Sequence, residues 1–116
     1  MSAAALAGRR CQAVLPAASG DDIARMLAML PGWAVQDGKL TRGFAFKDHY
    51  ETLAFVNALA WVSHTEDHHP ELTVTYNRCV VRYDTHSVNQ GKGGLSDNDF
   101  ICAAKVDALY DQRAQA

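Results

Sequence analysis

Three of the five histidines lie in two short motifs, His68-His69-Pro70 and Thr85-His86-Ser87. Imidazole exchanges a proton near neutrality and is also the commonest metal ligand. The cluster therefore points to proton transfer or to metal binding. Pro70 ends a helix, because the residue before a proline is pushed out of helical geometry. A helix C-terminus favours a cation by about 0.3–1 kcal/mol, and Glu66, Asp67 and Glu71 add negative charge. Both effects raise an imidazole pKa. A protonated His68 or His69 is then a candidate general acid. His86, at a strand end before a loop, brings an imidazole to the opposite wall of a cleft. Capping or surface histidines are the structural alternative.

His64, Asp67 and His68 are spaced i, i+3, i+4, which places them on one helix face. His64 and His68 alone have zinc-helix spacing, but the segment reads HTEDH, so H-E-x-x-H is absent. Metal is accordingly the weaker reading. His49, at the far end of the same helix, reads as a surface residue. Trp33 follows Pro31-Gly32 and reads as a partly buried packing residue, or as an aromatic lying against a flat heterocycle. Gly91, Gly93 and Gly94 match neither phosphate-binding glycine motif, so residues 89–94 read as a flexible connection.

The elements that must position these groups follow from caps and periodicity. Ser19 caps a helix in which Ile23, Met26, Leu27 and Leu30 form one stripe, ended by Pro31-Gly32. Strands over 33–36 and 39–47 flank Asp37-Gly38, a two-residue hairpin signal, with a bulge expected near Gly43. Asp48 caps a long, largely apolar helix over 49–67. Strands over 72–76 and 79–84 form a second hairpin around Asn77-Arg78. Ser96 and Asp99 have capping-box spacing, with Asp in the usual place of Glu, and open a last helix to about 112. Two hairpins separated by a helix predict a two-layer α+β domain. Its four-stranded antiparallel sheet would carry the helices on one face.

The 116 residues, 48% of them hydrophobic, suit one domain over 19–116 after a loosely ordered lead-in at 1–18. A net charge of -2 argues against a general nucleic-acid binder. No apolar run is long enough to span a membrane. Cys11, Cys79 and Cys102 are an odd, widely spaced set, which suits a reducing cytoplasmic setting. Cys79 and Cys102 read as small core residues.

Leu30-Pro31-Gly32-Trp33, Phe44-Ala45-Phe46-Lys47-Asp48, His68-His69-Pro70-Glu71, Tyr76-Asn77, Thr85-His86 and Gly94-Leu95-Ser96 occur in one order. In this, residues 30–110 resemble the pterin-4a-carbinolamine dehydratases. The resemblance implies a hydro-lyase that takes water from 4a-hydroxytetrahydropterin to give quinonoid dihydropterin. It implies recycling of tetrahydrobiopterin for aromatic amino-acid hydroxylases, with no metal or other cofactor. His68 and His86 become acid/base groups and His69 a substrate-orienting group. Pterin contacts are implied for Asp67, His68, His69, Asp84, Thr85, His86 and Ser87. A homodimer or homotetramer is implied as well. The alternative within the family is a non-catalytic interaction or assembly protein. Two departures stand out: His64 occupies a position held by glutamate in animal members, and the loop from His86 to Gly94 is longer.

Overall fold

Asp37 and Gly38 both take positive φ, 52° and 77°, in the computed structural model, which describes residues 2–113. That backbone matches the twist of the strands it joins. It closes β1 (Ala34–Gln36) onto β2 (Lys39–Ala45). The second hairpin joins β3 (Glu71–Val74) to β4 (Arg78–Tyr83), and β2 pairs with β4. The result is one antiparallel sheet in the order β1-β2-β4-β3. Its helix-facing side carries Leu40, Phe44, Cys79, Val81 and Tyr83, all at most 1% exposed. The expected bulge at Gly43 is absent, since Gly43 pairs in register with Val80. The missing side chain instead makes room for the Arg78 guanidinium, which lies across Gly43 where a Cβ would be.

Among the described residues, four helices accompany the sheet: α1 (Ala3–Ala7), α2 (Gly20–Ala28), α3 (His49–Glu66) and α4 (Asp97–Arg113). The predicted caps are observed. Ser19 accepts from the Asp22 amide and Asp48 from the Glu51 amide. Phe55 and Leu59 of α3 face the core, together with Phe100, Ile101, Ala104 and Val106 of α4. The fold is thus the two-layer α+β arrangement expected.

Order over residues 2–18 exceeds the loose lead-in expected from composition. Leu6 is fully buried, and burying a leucine stabilises by about 1.5–3 kcal/mol. The Arg9–Asp97 ion pair, with both side chains more than a third exposed, contributes at most about 1 kcal/mol. Apolar docking, helped by the Lys105 ammonium donating to the Ala7 carbonyl (2.6 Å), therefore dominates the attachment. Small apolar residues gave no local periodicity from which this docking was visible.

Candidate active site

The end of α3 decides where the histidines go. Asp67 adopts a left-handed conformation (φ 51°, ψ 45°), which stops the helix at Glu66, before Pro70 can do so. The i, i+3, i+4 face expected for His64, Asp67 and His68 therefore does not exist, because two of the three lie beyond the helix. His64 remains exposed beside Trp61, with ring centroids 6.0 Å apart. His68 turns inward and stacks on Tyr83 at 5.7 Å, nearly parallel. His69 stays exposed.

His68 Nε2 lies 2.6 Å from Oδ1 of Asp99, whose side chain is fully buried. Oδ2 of Asp99 accepts from the Ser96 amide (2.9 Å) and from the Thr85 hydroxyl (2.8 Å). The Ser96 hydroxyl in turn reaches Thr85 Oγ1 at 2.8 Å. One carboxylate thus completes the capping box of α4, anchors the end of β4 and holds His68. Burial works against charge on the His68 ring, but the hydrogen bond and the negative charge of Asp99 outweigh it, and its pKa is raised. The ring is therefore biased toward imidazolium.

Beyond β4, the Thr85 amide donates to the Gly94 carbonyl (2.8 Å). That bond pinches the glycine-rich loop at its base. The loop is not a bare flexible connection: Val88 is buried beneath it and Asn89 bonds the Gly93 carbonyl. His86 projects from this corner with 88% of its side chain exposed, and Nε2 lies 3.3 Å from Asp84 Oδ1.

These groups line a cleft of about 540 Å³ whose walls include Asp67, His68, His69, Asp84, Thr85, His86 and Ser87. Every site residue expected from the sequence borders it except Trp33. Trp33 is buried, packs edge-on against Phe44 and donates from Nε1 to Asp107 (2.8 Å). Tyr83 stands beside it and carries His68 on another side. An apolar ring with one N–H is most stable where both are satisfied in the core, so Trp33 supports the floor rather than facing a ligand.

The third wall was not anticipated. Cys11, Gln12 and Ala13 line the cleft together with Asn98 and Glu66. Asn98 exchanges two hydrogen bonds with the Gln12 main chain (3.0 and 2.8 Å). Buried Glu66 accepts from the Cys11 amide (2.8 Å) and pairs with Arg10 and Lys105. Burial opposes its charge, yet these donors and cations hold its pKa below the usual range. Asp99 was visible in the sequence only as a cap, although aspartate in the glutamate position of the box was the available signal. Among the described residues, no three His, Cys, Asp or Glu groups converge as a metal site. His64 and His68, the pair a zinc helix would need, diverge.

The model of the family described as pterin 4 alpha carbinolamine dehydratase matches residues 16–109. Curated relatives carrying the pterin-4-alpha-carbinolamine dehydratase name include one from Bdellovibrio bacteriovorus. It is 53% identical over 109 residues, covering 94% of this chain and 91% of the relative. Another, from Xanthomonas oryzae pv. oryzae, is 60% identical over 92 residues, covering 78% and 75%. The crystal structure of a transcriptional coactivator/pterin dehydratase from Brucella melitensis superposes with a TM-score of 0.73 at 32% identity. That match covers 81% of this chain and 98% of the other.

Proposed function

The chain belongs to the pterin 4 alpha carbinolamine dehydratase family, and we propose that it removes water from a 4a-hydroxytetrahydropterin by histidine acid/base catalysis. The observation that carries the mechanism is the His68–Asp99 pair at the cleft wall. Dehydration requires a proton on the departing C4a hydroxyl and loss of the N5 proton. His68 supplies the first. Its Nε2 is committed to Asp99, which leaves Nδ1 for the substrate, and its raised pKa favours the protonated ring. His86 removes the N5 proton, since its exposed ring returns that proton to solvent.

His69 and Asp67 orient the pterin from the α3 side, and Asp84, Thr85 and Ser87 from the β4 side. Thr85 acts through its main chain, because its hydroxyl is taken by Asp99 and Ser96. Asp99 does not touch substrate in this scheme; it positions and charges His68. No step calls for a metal. The natural setting is the cytoplasm, where the product is reduced again to serve an aromatic amino-acid hydroxylase.

Tyr50, Leu53 and Trp61 leave apolar surface exposed along α3. Buried apolar area is what drives association, which favours a homodimer or homotetramer through that helix. It also supports the second reading, an interaction protein of the same fold. The deciding test is to supply enzymatically generated 4a-carbinolamine and follow its dehydration. A rate no higher than the spontaneous one overturns the enzymatic reading and leaves the interaction protein.

A further inference from the structure

The sulfurs of Cys11 and Cys102 lie 3.5 Å apart although 91 residues separate them. Neither takes part in the dehydration scheme. Cys11 is partly exposed and borders the cleft, whereas Cys102 is fully buried on α4. The Cys11 main chain is fixed by Glu66, and its sulfur also sits 3.7 Å from the Asn98 carbonyl. One thiol reachable from solvent and one held behind it is the arrangement of an attacking and a resolving cysteine. We propose that Cys11 and Cys102 are a modification site, a dithiol oxidised by hydroperoxides to a disulfide that fastens the N-terminal wall of the cleft to α4.

The chemistry balances with the hydroperoxide as the only co-reactant. The Cys11 thiolate attacks the distal peroxide oxygen, the O–O bond breaks, and the alcohol (or water, from hydrogen peroxide) leaves with a proton. Cys11 is now a sulfenic acid, two electrons having passed to the peroxide. The Cys102 sulfur then attacks the Cys11 sulfur. The S–O bond breaks and hydroxide departs as water with the Cys102 proton. The sulfurs must close to about 2.05 Å, a small movement for Cys11, which lies outside any helix.

Local electrostatics single out Cys11 as the sulfur that meets the peroxide first. The hydrogen bond from Cys102 draws the Cys11 thiol below its ordinary range against the effect of burial, and the charge of His68 adds to it. Cys102 is pushed far up, first by that hydrogen bond and then by burial. Cys102 therefore attacks as the thiol, and its proton passes to the departing hydroxide as the S–S bond forms. Cys79, buried in β4 with its thiol raised by burial, is an internal control.

The test uses the reduced full chain treated with hydrogen peroxide. The expected result is loss of two of the three free thiols, with a mass decrease of two hydrogens. A non-reducing digest should link the Cys11 and Cys102 peptides, and dithiothreitol should reverse the link. Cys102→Ser should stop at a Cys11 sulfenic acid that dimedone captures, and Cys11→Ser should keep both remaining thiols. The wild-type digest stands even if a variant fails to fold. Three surviving thiols, a link through Cys79, or over-oxidation of Cys11 without the cross-link would overturn the proposal.

Discussion

Replacing Asp99 with asparagine keeps the shape of the site and removes one charge. The wild-type carboxylate serves three donors: His68 Nε2, the Ser96 amide and the Thr85 hydroxyl. Asparagine has a single oxygen, which the Ser96 and Thr85 donors occupy. Its NH₂ then faces His68 Nε2, which can only accept, so the imidazole must be neutral. Burial, until then outweighed chiefly by Asp99, is now opposed only by the charges of Cys11 and Asp84, and the His68 pKa falls. Hydrogen bonds to charged groups are worth about 1.5–3 kcal/mol, and a buried pair broken on one side costs about 3–5 kcal/mol. Because the asparagine can re-form a neutral pattern, the expected loss of stability is about 2–3 kcal/mol.

A general acid contributes about 10²–10⁴-fold, so kcat at pH 7.5 should fall at least ~10²-fold. Stopped-flow measurement of 4a-carbinolamine dehydration across pH 5–9 is the assay. In the wild type, activity should decline on the alkaline side as His68 loses its proton. In Asp99→Asn that decline should move to lower pH, with partial recovery near pH 5.5. Stability must follow the same sign. A raised folded pKa gives stability that is complete below the unfolded value of about 6.5 and is lost as pH rises through the folded value. Urea midpoints of the wild type should therefore fall over that interval, and those of the variant should not. A variant with kcat within twofold of wild type and an unmoved alkaline limb would refute the assignment of Asp99 and, with it, of His68 as the acid.

His86→Ala should lower kcat by about 10²-fold or more while circular dichroism stays unchanged, because the ring is 88% exposed; an unaltered kcat removes His86 from the mechanism. Trp33→Phe loses the bond to Asp107 but leaves the Arg42–Asp107 pair at 2.7 Å, so denaturant titration should register about 1–2 kcal/mol. The KM of this variant should hold, and a rise in KM with unchanged stability would return Trp33 to the substrate. Glu66→Gln should cost about 1–3 kcal/mol. Since the Glu66 pKa is lowered, its contribution exists above the unfolded value of about 4.3 and fades as pH falls through the folded one. The variant's stability should accordingly be flatter between pH 5 and 3, and an acid limb as steep as wild type would contradict the role given to Glu66.

Local chemistry made much of the fold legible. Ser19, Asp48 and Asp37-Gly38 act on neighbours three residues away or fewer, so their effect can be read without knowing the rest of the chain. The same holds for the two strands read on either side of Asn77-Arg78. What was not legible depends on partners far along the chain. Pro70 announced an end to α3, but the left-handed Asp67 set it earlier, and the apparent face of His64, Asp67 and His68 dissolved. The contacts of Cys11 with Glu66 and Cys102 span 55 and 91 residues. Asp99 looked like a cap because its bond to Ser96 is local; the others reach Thr85 and His68, 14 and 31 residues away. Which of the two readings of Trp33 holds was not legible, because its place depends on Asp107, on a helix 74 residues later.

With His68 as the proposed acid, the shared use of Asp99 makes catalysis a gauge of local order. The first turn of α4 closes through the Ser96 amide on the oxygen neighbouring the one that holds His68. Fraying of that turn draws the carboxylate away and discharges the imidazole in the same event. The rate of dehydration therefore measures how tightly one helix is wound at its start. On warming, it should fall as amide exchange at Ser96 accelerates, well before the sheet gives way.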